Sequence, residues 1–250
     1  MDKNPNISSD CDVDLLAMIL RHVERIDQRI SSFEHKGQII WVKKQERHTL
    51  RMRLQKGDAH SAFQAELDAY QQLKTADVPV PKVLAYGDSF IATADSGLSL
   101  HNMLLGEMEP QPIRIVAFRM AGEQLALMHK QQLSHGRPSI KDICWQDGHI
   151  TFLDFERFSE KRHTAKGHMQ DLVMMVFSAY SVSGRDCPEI DAMIKAYREN
   201  DPAGIWEMAA KWCAKKGWVD LVTKPIQWRG AGKAREFKAI PVTLKAFGKT

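Results

Sequence analysis

Residues 135–156, HGRPSIKDICWQDGHITFLDFE, constrain this chain more than any other segment. Two β-rich runs, ICW and ITFL, are separated by Asp147-Gly148, a dipeptide suited to a two-residue hairpin turn. Helical patterns stand on both sides. From Pro112 to Gln132, Ile113, Val116, Ala117, Met120, Ala121, Leu125 and Met128 recur at helical spacing. Gln170 to Tyr180 is apolar nearly all round, the pattern of a buried helix. A hairpin brings its two flanks together, so Asp142 and Asp154 are expected side by side at one edge. Paired carboxylates on a rigid hairpin suit a hard divalent cation such as Mg²⁺, which takes oxygen ligands and shares them with phosphates.

The first 95 residues have a different character. Residues 1–11 read as disordered, and Asp12–Ile30 as an amphipathic helix through Leu15, Ile19, Val23, Ile26 and Ile30. FEHKGQIIWVKKQE then reads as a hairpin that turns at Gly37 and ends in a strand with Lys43 and Lys44 at its exit. After the basic stretch RHTLRMRLQKGD, His60–Lys74 is a helix with Glu66 in its middle. Pro79 and Pro81 end that helix, and two short strands, Val83–Tyr86 and Phe90–Thr93, flank a Gly-Asp turn. Asp95-Ser96-Gly97 is a linker, beyond which the chain is mainly helical, with further helices over Pro188–Arg198 and Pro202–Lys216. The prediction is an α+β fold, with a β-rich unit over 1–95 and a helical one over 96–250. A strand-borne lysine, a helical glutamate, a loop and a metal-ligand aspartate follow in that order, as expected where a carboxylate positions a phosphate-gripping lysine.

Composition narrows the classes. With 44% hydrophobic and 26% charged residues, the chain is neither disordered nor fibrous, and no stretch approaches the ~20 apolar residues of a membrane span. Its polar, acidic beginning (MDKNPNISSDCDVD) is unlike an export signal and points to the cytoplasm. Cys11, Cys144, Cys187 and Cys213 lack any CxxC spacing and read as reduced, structural thiols; no HExxH occurs among the ten histidines. A metal would therefore be held by carboxylates. From Lys224 to Thr250, seven Lys or Arg stand against Glu236, a tail suited to an anionic partner or to the inner face of a membrane, with no strong nucleic-acid signal. Its interleaved apolar residues, Phe237, Ile240, Val242, Leu244 and Phe247, predict that it packs on the body. Met193, Trp206, Met208, Trp212, Trp218 and Trp228 read as core or edge packing.

In order and wording, about residues 33–182 resemble the protein-kinase-like superfamily, especially bacterial lipopolysaccharide core sugar kinases and RIO-type atypical kinases. The resemblance implies a two-lobed fold with a small β-rich lobe and a mainly helical lobe, using ATP and Mg²⁺. It places the phosphate-binding lysine on Lys43, with Lys44 as the alternative register, and its partner on Glu66. Thr93 to Asp95 fall near the adenine. HGRPSIKDI matches the catalytic loop, LDFE the metal-binding Asp-Phe-Gly element through Asp154, and Asp171 the buried aspartate that braces the loop; His135 reads as a scaffold histidine. There are three departures. No GxGxxG loop exists, only Gly37; Glu156 replaces the usual glycine; and Arg137 stands where the catalytic aspartate is expected, with Asp142 at the metal-binding asparagine position. Arginine stays protonated and cannot serve as a base. By resemblance the chain is a kinase acting on a hydroxyl, such as that of a lipopolysaccharide-core sugar. The alternatives are a protein Ser/Thr kinase and a pseudokinase that binds nucleotide or a partner without transfer.

Overall fold

The computed structural model describes residues 5–45, 59–106, 109–228 and 234–248. They divide into two compact units, Met1–Ser96 and Gly97–Thr250, giving an α+β chain with a small antiparallel sheet and mainly helical content.

The first unit is built on five strands, β1 (Asn6–Ile7), β2 (Ile30–His35), β3 (Gln38–Lys44), β4 (Val83–Tyr86) and β5 (Phe90–Ala94), ordered β1-β4-β5-β3-β2. Helix α1 (Val13–Arg25) starts where the Asp12 carboxylate accepts from the Leu15 N–H at 2.7 Å. Its Leu15 and Ile19 pack with Ile40, Val42, Leu84, Phe90 and Ala92 into one apolar core. Each large side chain removed from water there contributes about 2 kcal/mol. Helix α2 (Ala59–Thr75) buries Leu67, Tyr70 and Leu73. The β2–β3 turn passes through Lys36 and Gly37, at φ +50° and +77°, the left-handed pair that a two-residue hairpin requires.

Two expectations for this unit fail. Residues 5–11 are not disordered throughout, because Asn6 and Ile7 pair with Tyr86 and Ala85 as an edge strand. Nor does the first helix reach Ile30. It ends at Arg25, Ile26 is extended, and Ile30 pairs with Lys43 at the start of β2. Ile26 and Ile30 match helical spacing, but β-branched side chains sit equally well in a sheet, and pairing decides. The basic stretch at 47–58 lies outside the described residues.

The second unit opens with strand β6 (Leu98–Ser99), which pairs with β7 (Ile143–Gln146), itself paired with β8 (His149–Phe152). Around these strands lie α3 (Leu100–Leu104), α4 (Gln111–Lys130), α5 (Ala165–Ser183), α6 (Pro188–Glu199), α7 (Ile205–Ala214), α8 (Gly217–Gln227) and α9 (Ala234–Gly248). Helices α4 and α6 approach closely at Gly122, where a Cβ would meet the Met193 carbonyl at 2.1 Å. Helix α7 begins at Ile205 rather than Pro202, because Asp201 caps it by accepting from the Ile205 and Trp206 N–H groups, both at 2.9 Å. Helix α9, in the basic tail, packs against α5, α7 and α8 and buries Ala239, Thr243 and Phe247. Met193 and Trp206 are buried, but Trp218 and Trp228 are 59% and 83% exposed, so the packing role expected of the last tryptophans fails for these two. The four cysteines are free thiols. No helix among the described residues is long and apolar enough to cross a membrane.

Candidate active site

In the first unit, strand alternation separates the two lysines. Val42 and Lys44 share the face of β3 that packs under α1, while Trp41 and Lys43 face the other way. The Lys44 ammonium donates to the Val23 and Ile26 carbonyls at 2.7 and 2.8 Å, satisfying the end of α1. The Lys43 ammonium instead pairs with the Glu66 Oε2 of α2 at 2.5 Å. Glu66 is buried, and its Oε1 accepts from the Tyr70 hydroxyl at 2.8 Å. The carboxylate is thus fixed from two sides and fixes the lysine in turn, a geometry that holds one cation at a set height above the sheet. Thr93 sits opposite Trp41 in the β3–β5 ladder, on the face of Lys43. Asp95, just past β5, accepts from the Trp41 indole N–H at 2.7 Å, and its own N–H donates to the Ile39 carbonyl.

In the second unit, the loop after α4 is held through the backbone of Gly136 and Ile140. Gly136 N–H donates to both oxygens of Asp171 in α5, at 3.0 and 3.1 Å, and the Gly136 carbonyl accepts from Arg162. Gly136 lies at φ +100°, and a Cβ there would meet the Arg157 carbonyl at 2.5 Å. The sequence can place no other residue there without moving the chain. Ile140 N–H donates to Ser178 Oγ at 3.0 Å. Behind the loop, Asp171 Oδ2 is 3.6 Å from His129 Nε2, His129 Nδ1 is 2.7 Å from the Tyr197 hydroxyl, and His168 stacks on His129. Burial depresses the His168 pKa to about 4, so that ring is neutral.

The hairpin turns through Asp147 and Gly148, at φ +48° and +87°, and its ladder runs one residue on, from Leu153 N–H to the Asp142 carbonyl at 2.7 Å. His135 Nε2 is 3.0 Å from the Leu153 carbonyl, and its ring stacks on Phe155. A carbonyl only accepts, so Nε2 carries the proton, while burial lowers the pKa and keeps the ring neutral. His135 is a scaffold group. Between these anchors Asp154 takes the left-handed conformation, φ +63°, uncommon outside glycine. That strained turn re-aims the aspartate at the strand end.

Three groups meet at this edge. Arg137 Nη2 lies 4.0 Å from Asp154 Oδ2. Asp142 Oδ2 is buried and accepts no hydrogen bond, with the Lys141 ammonium 3.7 Å away. Burial raises the Asp142 pKa to about 6, Lys141 and Arg137 oppose the rise, and Asp154 adds to it. An orphaned, buried carboxylate oxygen next to a second aspartate is the donor set a hard cation takes. The residues present fit a divalent metal.

The lipopolysaccharide kinase (Kdo/WaaP) family model matches residues 22–197, well over half of the sequence. The chain belongs to this family. A Haemophilus influenzae protein, named only as uncharacterized, is 27% identical over 201 residues, covering 80% of this chain and 83% of its own. The matched span of the Kdo/WaaP kinase model takes in Lys43, Glu66, Arg137, Asp142, Asp154 and Asp171.

Glu156, which stands in place of the usual glycine, adds to the Asp154 edge. A carboxylate oxygen of Glu156 lies within 4.8 Å of one of Asp154, so a third acidic group stands at the same edge. Ser178 and Arg162 anchor the loop, and nothing local in the sequence marks them, since their partners lie 38 and 26 residues away.

Proposed function

We propose that this member of the Kdo/WaaP family is an ATP- and Mg²⁺-dependent kinase that phosphorylates a hydroxyl of a lipopolysaccharide-core-type sugar. On this reading, the two compact units are the small β-rich and large helical lobes of a protein-kinase-like fold. The observation that carries it is the edge where Asp142, Asp154 and Arg137 converge on a backbone pinned by His135 and Asp171.

Lys43 binds nucleotide phosphates, and Glu66 and Tyr70 hold its ammonium in place. Thr93 and Asp95 lie toward the adenine. Asp154, with Asp142, would hold Mg²⁺, which would supply positive charge against the phosphates. Arg137 steadies the transferred phosphoryl group electrostatically. Phosphoryl transfer depends mainly on positioning and charge stabilisation, so an arginine in this place is compatible with turnover. Asp142 serves either the metal or the acceptor hydroxyl's proton, not both at once.

Arg137 also motivates a second reading, a pseudokinase that binds nucleotide without transferring phosphate. ATP with Mg²⁺ separates these from a protein that binds no nucleotide. Binding raises the unfolding midpoint by about 5 °C or more at saturating ligand, and no shift at millimolar nucleotide sinks both. Phosphate transfer to dephosphorylated core oligosaccharide then separates the first two. The kinase reading requires that Asp154→Ala abolish transfer while Arg137→Ala only slows it, on the order of 10²-fold. Nucleotide binding without turnover in the wild-type chain leaves the pseudokinase.

A further inference from the structure

Helix α8 turns a mixed side inward and large apolar side chains outward. Lys224 is exposed, while the half-buried side of the helix carries Val219, Asp220, Thr223, Ile226 and Gln227. There the Gln227 amide donates to Asp220 Oδ1 and Thr223 Oγ1, both at 2.9 Å. Trp218, Leu221, Val222 and Trp228 lie on the opposite side of the helix and are 59%, 68%, 64% and 83% exposed. No residue of the helix is buried. A surface helix of a globular protein normally does the reverse. An apolar stripe facing water is retained only where something covers it.

The chemistry around the stripe identifies the cover. Lys215 and Lys224 are exposed beside it, and the Lys216 ammonium lies 5.5 Å from the centre of the Trp212 ring. From Lys211 to the end, ten Lys or Arg stand against two acids, Asp220 and Glu236. Exposed tryptophans ringed by lysines match an interfacial helix, whose aromatic rings sit at headgroup level while the cations meet anionic lipid. A second copy of the chain fits less well. An 11-residue helix is roughly 16 Å long and about 10 Å across, a footprint on the order of 200 Å², against the ~800 Å² per partner of a stable protein interface. A bilayer needs no matching surface.

We propose that α8 docks this protein on an anionic lipid bilayer, with Trp218, Leu221, Val222 and Trp228 inserted at the interface and Lys216 and Lys224 at the headgroups. The proposal rests on α8 and its surroundings and stands apart from the kinase reading.

The test is co-sedimentation of the full chain with phosphatidylcholine vesicles, with and without phosphatidylglycerol. The protein should sediment with the anionic vesicles, less so at high salt, with a blue shift of tryptophan emission. The triple variant Trp218→Ser, Leu221→Ser, Val222→Ser should keep its far-ultraviolet circular dichroism and lose partitioning by at least about tenfold. Lys216→Glu with Lys224→Glu should weaken binding to anionic vesicles. Absence of sedimentation with either vesicle overturns the proposal. So does equal, salt-insensitive binding to both, or a concentration-dependent dimer that the triple variant abolishes, which would place a second copy on this face.

Discussion

The loop around Gly136 and helix α8 break opposite rules within one unit. At the loop, polar and ionisable groups go inside: Asp171, His129, His135 and His168 are all buried. At α8, apolar groups go outside. The first departure is compensated in part, since Asp171 accepts from Gly136 and faces His129, and His135 is bonded to Leu153, although His129 Nε2, His135 Nδ1 and His168 Nε2 are buried without a hydrogen bond. The second has no compensation among the described residues. A buried polar network tied to the backbone defines a support, whereas an exposed apolar stripe implies a partner outside the chain.

The sharpest way to break the first half of that contrast is Asp171→Ala. It leaves the Gly136 N–H without an acceptor and His129 without its carboxylate, and should cost about 3 kcal/mol in urea unfolding. Asp171→Asn, which keeps an acceptor, should lose less. Equal, negligible losses in both would mean that the loop is held some other way. Asp142→Asn should move stability in the opposite direction. Its carboxyl titrates at about 6 rather than 3.8, so the native state holds its proton after the unfolded chain has released it. Stability from this site is present below about pH 4 and is lost as pH climbs from there through about 6. The asparagine variant should gain about 2 kcal/mol over wild type near pH 7 and nothing near pH 4, while losing Mg²⁺-dependent stabilisation. Unfolding curves at the two pH values check the sign.

Much of this was legible in the sequence because it is local. Asp147-Gly148 between two β-rich runs specified the hairpin, and with it the return of Asp142 beside Asp154. Strand alternation puts Lys43 and Lys44 on opposite faces of β3, but which face looks toward Glu66 depends on where α1 packs, a contact remote in sequence that the Lys44 bonds to the Val23 and Ile26 carbonyls report. The end of α1 was misread because Ile26 and Ile30 satisfy two periodicities at once. The left-handed Asp154 was not legible either. Its conformation is imposed by the His135 bond to Leu153 and the stack on Phe155, contacts that close over 18 and 20 residues. The outward turn of Trp218, Leu221 and Val222 is not legible for a related reason. The amphipathic pattern of α8 is plain, but a pattern says only that two faces differ, and α9 determines which one is turned inward.

That last point yields the smallest effect and the finest test. On the half-buried side of α8, Gln227→Ala removes a hydrogen-bond donor shared between Asp220 and Thr223 and should cost about 1 kcal/mol. Leu221→Ser, on the apolar side, should change stability by no more than about 0.5 kcal/mol, although leucine to serine is by far the harsher change for a core position. The expected order is thus the reverse of what hydrophobicity alone predicts. Were Leu221→Ser the costlier of the two in a monomeric sample without lipid, the apolar stripe would already be covered by the chain itself. The contrast between a buried polar cluster and an open apolar face would then collapse. If the order holds, the exposed face contributes little to folding, and its apolar character needs another explanation, namely contact with a surface the chain does not supply.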